Sequence, residues 1–183
     1  MTRATTTPAW SPTPTGSGVT ALPGSAHVVI GLADQRLRLY REGRLCMDVA
    51  VSTARNGAGE LAGSFCTPRG LHQIRARIGA GCPAGTVFVG RRPSGEIYSE
   101  ELARRYPGRD WILTRILWLS GLEVGRNRLG KVDSMRRYIY IHGCPESEPM
   151  GVPRSRGCVR MRNADIMALF DRVAVGTRVL IEE

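Results

Sequence analysis

From Ala26 onward the chain is a series of short apolar runs broken by glycine-bearing turns. In "RLRLY" strict alternation sends Leu37 and Leu39 to one face and Arg36, Arg38 and Tyr40 to the other, the signature of a half-buried strand. "REGR" follows as a hairpin turn. The next run, "RLCMDVAVS", predicts a strand in which Cys46 serves as a small buried apolar side chain. Further strands are predicted in "HVVIG", "LHQIRARI", "TVFVGR", part of "WILTRILWL", "RRYIYIHG" and "TRVLIEE". Two segments break the pattern toward helix. "SEELARRY" is short, with Ser99 placed to cap it. In "NADIMALFDRV" Asn163 is placed to cap, Ile166, Leu169, Phe170 and Val173 share one face, and Gly176 is the stop. The predicted fold is a mainly β domain over residues 26–183 with one or two short helices.

Residues 1–25, rich in threonine and proline, predict a disordered tail with neither the apolar core of a secretory signal nor any run near the ~20 residues that span a bilayer. That pattern predicts a cytoplasmic protein if Met1 is the native start, and a periplasmic one if the chain is trimmed. It also predicts no integral membrane contact. The formal charge of +10 raises nucleic acid as a partner. Against it, 25 of the 26 basic residues are scattered arginines, and no helix-turn-helix, zinc-finger or aromatic-basic strand accompanies them. No nucleic-acid partner is expected. The five cysteines form an odd set without a CxxC pair, poor material for a disulfide framework or a structural zinc site. A zinc set of His142, Cys144 and Cys158 would lack a fourth ligand. No metal or cofactor is expected.

Candidate chemistry concentrates in "HGCPESEPMGVPRSRGC", residues 142–158. Alternation in "RRYIYIHG" sends Ile139 and Ile141 to the core and Tyr138, Tyr140 and His142 to the opposite side, so that His142 ends a strand facing a groove or solvent. Cys144 lies two residues on, but Gly143 and Pro145 make a continuing strand unfavourable. Cys158 is better placed, in a turn leading into the helix near Asn163 and among Arg154, Arg156, Arg160 and Arg162. Positive potential there predicts a thiol pKa lowered from about 8.5 toward neutrality. The N–H groups of Gly157 and Cys158 are candidates for an oxyanion hole. Two thiols in one loop system also suggest an oxidative bridge between Cys144 and Cys158.

"IHG", then sixteen residues from His142 to the cysteine of "SRGCVRM", resembles the signature of the L,D-transpeptidase catalytic domain family of the YkuD type. "TPRG" at residues 67–70, "DWILTRILWLSGLE", "VDSMRRYIYIHG" and "ALFDRVAVGTRVLI" extend the resemblance over about residues 26–182. It implies a β-sandwich or barrel of mixed sheets. It further implies Cys158 as nucleophile, His142 as general base and the Gly143 carbonyl as the group that orients the imidazole. Gly157, Ser155, Arg156, Arg160 and Tyr140 are the implied oxyanion and substrate contacts. The commonest motif has histidine where this chain has Arg156, which is free to hold a thiolate or a substrate carboxylate. The implied partner is the peptidoglycan stem tetrapeptide or a muropeptide containing it. The cysteine attacks the carbonyl of the third residue, the L-centre of a diamino acid, and releases the terminal D-alanine. Water as acceptor gives an L,D-carboxypeptidase of murein recycling, the expected outcome for a chain without an export signal. An amine acceptor gives a transpeptidase that forms 3-3 cross-links, and an inactive stem-peptide binding module is the remaining alternative.

Overall fold

The computed structural model describes residues 26–183. The tail expected over residues 1–25 lies outside the described residues. Three strands open the domain, β1 (His27–Gly31), β2 (Arg36–Arg41) and β3 (Arg44–Ala50), followed by β4 (Gly70–Ile78), β5 (Thr86–Val89) and β6 (Arg92–Ile97). Helix α1 (Glu100–Arg105) leads to β7 (Leu113–Gly121), β8 (Tyr140–Gly143) and β9 (Val159–Met161). Helix α2 (Asn163–Arg172) and β10 (Arg178–Glu182) close the chain. The sheet runs β3-β2-β1-β10-β4-β7-β5-β6, with β8 and then β9 branching from β7. Among the described strands, β1–β10 and β8–β9 pair in parallel and the other pairs run antiparallel, so the sheet is mixed. The mainly β, mixed-sheet domain with two helices is the architecture the sequence predicted.

Alternation in β2 behaves as expected: Leu37 and Leu39 are buried, while Arg36 turns outward to Asp48 at 2.6 Å. Glu42 and Gly43, both at positive φ, form the two-residue turn into β3. Cys46 is exposed, contrary to the expectation of a buried side chain. Its strand is the sheet's outer edge, and of its side chains only Met47 and Val49 pack partly on the core.

The main core gathers Ile30, Leu37, Leu117, Ile141 and Met161 from the sheet against Ile166, Leu169 and Phe170 of α2. Each fully buried aliphatic side chain there contributes about 1.5–3 kcal/mol. Ser99 caps α1 by accepting from the Leu102 N–H at 3.1 Å. Asn163 does not cap α2; the N-cap position belongs to Arg162, which makes no side-chain bond there. The Asn163 amide instead donates to the Cys144 carbonyl at 3.0 Å and accepts from the Thr114 hydroxyl. A tertiary partner has displaced the local one. That link clamps the end of β8 to β7 and α2.

Candidate active site

Strand β8 lies between β7 and β9, with Ile141 opposite Val159, His142 opposite Arg160 and Gly143 opposite Met161. Extended one step back, this register sets Tyr140 beside Cys158, and the Tyr140 N–H meets Cys158 Sγ at 3.4 Å. Ile141, Val159 and Met161 are fully buried in the core. Alternation therefore delivers Tyr140 and His142 from β8, Arg160 from β9 and Cys158 from the residue just before β9 to one common face. Neither strand fragment is apolar enough to exist alone; β7 on one side and α2 behind hold both.

His142 is only 1% exposed, deeper than the groove or solvent position expected, because β8 is an interior strand. Its Nδ1 pairs with the Gly143 carbonyl at 2.8 Å, so Nδ1 carries the proton and Nε2 the lone pair. Nε2 has no protein partner, yet it is not sealed off. Among the described residues, the only side-chain N or O atoms both enclosed and unpartnered are those of His27. Burial lowers the His142 pKa, with Gly143 and Asp110 opposing and Arg160 assisting, and the ring is neutral at neutral pH. Gly143 is required for contact reasons: an added Cβ would lie 2.5 Å from Asn163 Oδ1 and 2.8 Å from the Leu113 carbonyl.

Burial pushes the Cys158 thiol up to about 12, partly offset by the Tyr140 N–H. The expected lowering toward neutrality fails for two reasons. Strand β9 separates Cys158 from α2, so the helix terminus is not at the sulfur. Two of the neighbouring arginines are engaged elsewhere: Arg160 binds Asp110 and Glu148 at 2.7 and 3.0 Å, and Arg162 binds the Glu146 carbonyl at 2.7 Å. Arg160, expected to touch substrate, is thus 8% exposed and neutralised by its own chain.

The turn before Cys158 is internally stapled. The buried Ser155 hydroxyl donates to the Cys158 carbonyl at 2.5 Å and accepts from the Gly157 N–H at 3.2 Å. Gly157, at φ 129°, is therefore not presenting a free N–H for an oxyanion, and Ser155 shapes the turn instead of facing substrate. The N–H aimed at the sulfur belongs to Tyr140. Its phenol, 5% exposed, receives a hydrogen bond from Arg91 at 3.0 Å and packs edge-on against Trp118. Thr67 of "TPRG", to which sequence reasoning gave no atomic role, is buried and donates to the Gly157 carbonyl at 2.9 Å. The half-buried Arg137 was also missed; it ties the carbonyls of Gly59, Glu60 and Cys66 to the segment before β8.

Cys144 is fully buried, bonded to the Met161 carbonyl at 3.4 Å, and its thiol is also pushed up to about 12 by burial. Sulfur partners at opposite ends of β8 put the two cysteines about four residues apart along the strand, roughly 13 Å. Disulfides need Cα atoms within about 7 Å, so the bridge between Cys144 and Cys158 is excluded.

Two hollows flank the strand pair. A cleft of about 480 Å³ is lined by Arg55, Asp110, Glu148, Arg154, Arg156 and Arg160, among others. A smaller one of about 290 Å³ is lined by Phe65, Arg137, Tyr138, Ile139 and Arg156, among others. Arg156, exposed and without a carboxylate partner among the described residues, is the one residue shared by both.

The family model for the L,D-transpeptidase catalytic domain, YkuD, matches residues 25–181. The probable L,D-transpeptidase ErfK/SrfK of Salmonella typhimurium is 51% identical over 45 residues, 25% of this chain and 15% of that protein. The putative L,D-transpeptidase YqjB of Bacillus subtilis is 46% identical over 43 residues, 24% of each chain. The match thus spans a quarter or less of these curated relatives. Among solved structures, L,D-transpeptidase 3 from Mycobacterium tuberculosis with a faropenem-derived adduct superposes with a TM-score of 0.55 at 13% identity, covering 87% of this chain and 60% of that one. The L,D-transpeptidase from Xylanimonas cellulosilytica gives 0.51 at 22% identity, covering 87% and 61%. At these identities the likeness is one of fold.

Proposed function

This chain belongs to the L,D-transpeptidase catalytic domain family, and we propose that it cleaves the L,D bond before the terminal D-alanine of a peptidoglycan stem tetrapeptide through a thioester on Cys158. The single observation that supports this reading is the common face onto which the Cys158 thiol and a His142 imidazole oriented by its own neighbour's carbonyl both project. Cys158 Sγ attacks the carbonyl of the third residue as its proton passes to His142 Nε2. The Nδ1–H bond to the Gly143 carbonyl steadies the imidazolium that forms. The Tyr140 N–H, already directed at the sulfur, is the backbone donor assigned here to the developing oxyanion. Collapse breaks the C–N bond, and the imidazolium proton leaves on the D-alanine amine. Water, deprotonated by the same Nε2, then resolves the thioester to a tripeptide carboxylate and restores the thiol.

An amine acceptor in place of water is the second reading. It is favoured by the two hollows that meet at Arg156, since a transpeptidase seats a donor and an acceptor on either side of the thioester. One experiment separates them. Purified protein given a disaccharide tetrapeptide, with a free D-amino acid at millimolar level, is expected to release D-alanine and accumulate tripeptide. Exchange products or dimers as the main outcome would reverse the choice of acceptor. No D-alanine release from reduced protein would remove the donor assignment.

A further inference from the structure

Arg91 sits at the tip of the β5–β6 hairpin, where it and Gly90 form the two-residue turn closed by the Val89–Arg92 pair. Both turn residues are left-handed, Gly90 at φ 55° and Arg91 at φ 67°. Such a turn favours glycine in its second position, and an arginine there is strained. The side chain shows what the strain is held for. Its guanidinium lies over two rings, 4.6 Å from the centre of Trp118 and 4.9 Å from that of Tyr138, and donates to the Tyr140 hydroxyl at 3.0 Å. It forms no ion pair among the described residues. Three aromatic side chains stand where a carboxylate would.

Two of those three belong to the residues that hold the Cys158 sulfur. The thiol donates to the Tyr138 carbonyl at 3.4 Å, and the Tyr140 N–H donates to the sulfur at 3.4 Å. The backbone of residues 138 and 140 thus brackets the sulfur. Burial does not secure the first of these, since Tyr138 is 53% exposed and is itself left-handed at φ 57°. A tyrosine in that region relaxes toward extended backbone, and turns its carbonyl away, unless its ring is held. Arg91 holds it, together with the tilted Trp118 ring at 6.2 Å. The hairpin grips the second tyrosine as well: Phe88 of β5 packs with Tyr140 in the cluster that Cys158 joins. Arg91 lines neither of the two hollows beside the strand pair.

We propose that Arg91 is a positioning residue for Cys158: from the hairpin tip it pins the Tyr138 and Tyr140 side chains, and through their backbones it fixes the sulfur in its bracket. It does so without touching the bound peptide. Its effect on turnover rests on the proposed acyl transfer at Cys158, whereas its effect on the thiol does not.

The test uses the full chain with Arg91→Gly, Tyr140→Phe and the two combined. Glycine fits the left-handed turn, so the first variant removes the side chain without disturbing the hairpin. Iodoacetamide alkylation at pH 8 is read at each cysteine by peptide mapping. Burial keeps thiolate scarce at Cys158, and a loosened bracket admits water to the sulfur, so Arg91→Gly is expected to speed alkylation there about tenfold, the scale of one lost charge-assisted contact. Cys144, fully buried at the far end of β8, should keep its rate, because only a general loss of packing exposes both thiols. Tyr140→Phe removes the hydroxyl that Arg91 bonds and should give part of the rise. The double variant should fall short of the product of the two single effects, since both cut one contact. An unchanged Cys158, equal rises at Cys144 and Cys158, or fully multiplicative effects each overturn the proposal. In D-alanine release from the tetrapeptide, Arg91→Gly should lower kcat about tenfold and leave KM within about twofold. A raised KM at unchanged kcat would make Arg91 a contact to the peptide and overturn the positioning role. If the wild type releases no D-alanine while the alkylation shift appears at Cys158 alone, the proposed activity falls and the positioning role stands.

Discussion

The resting state of Cys158, the proposed nucleophile, yields a quantitative prediction through its response to pH. Burial puts the Cys158 thiol near 12 and pulls the His142 imidazole below its ordinary value. Moving the proton from sulfur to ring then opposes a gap of more than about five pH units, about 7 kcal/mol. Even two unit charges in contact, ~4 Å apart at an effective dielectric constant near 20, recover only about 4 kcal/mol. The neutral thiol and neutral imidazole therefore prevail by roughly 3 kcal/mol. Alkylation by iodoacetamide, which needs thiolate, should rise about tenfold per pH unit at Cys158 from pH 6 to 10 without levelling off. Exposed Cys46 serves as the internal reference for reagent consumption. Peptide mapping by mass spectrometry reads both sites in one sample. A plateau at Cys158 below pH 8 would show a preformed thiolate and refute the argument from burial.

Four further outcomes are expected. Cys158→Ala should abolish D-alanine release, whereas Cys144→Ala, at a buried thiol bonded to the Met161 carbonyl, should leave turnover within about twofold and cost about 1 kcal/mol of stability; chromatography of products and urea melts decide. His72, enclosed between the Gly70 carbonyl and the Ser134 hydroxyl at 2.9 Å each, has its pKa lowered to about 4 by burial. The unfolded chain takes up that proton first as pH falls below about 6.5, so stability should drop by about 3 kcal/mol between pH 6.5 and 4. His72→Gln should flatten this dependence in urea titrations. Gly143→Ala should lower the melting temperature and the turnover together, because its Cβ would overlap Asn163 and the Leu113 carbonyl at a cost of about 1–3 kcal/mol. Thr67→Val should slow turnover more than it lowers the melting temperature, since it frees the Gly157 carbonyl next to Cys158.

What was legible in the sequence was whatever depends on near neighbours. The alternation of β2 and the apolar stripe of Ile166, Leu169 and Phe170 sort themselves in and out of the core by spacing alone. Cys46 was misplaced because exposure on an edge strand depends on which strand pairs beyond it, a long-range fact. Asn163 has the local form of a cap, but Thr114, 49 residues away, offered a buried partner and prevailed. Arg160 was expected to meet substrate from its place two residues past Cys158, and its counter-charge Asp110 lies 50 residues upstream, where no local pattern points to it. The thiol's environment was misjudged for a similar reason: a three-residue strand, too short to leave a periodic trace, stands between Cys158 and α2.

Strands β8 and β9 are held to each other by hydrogen bonds in parallel register, while the segment that joins them passes over the surface between Cys144 and Cys158. Covalent continuity through that segment is therefore not what brings imidazole and sulfur together. A single backbone cut near Ser147 should leave a two-piece protein with its reactive groups still in register, because Cys144, Ser155 and Arg160 keep their own backbone bonds to the rest of the fold. The same topology makes the segment exchangeable: it supplies Glu148, Arg154 and Arg156 to the larger cleft without setting the spacing of the groups that react. The charge of the cleft and the proposed reactive pair thereby lie on parts of the chain that can vary independently, so that a graft of this one loop is expected to change the cleft's charge without moving His142 or Cys158.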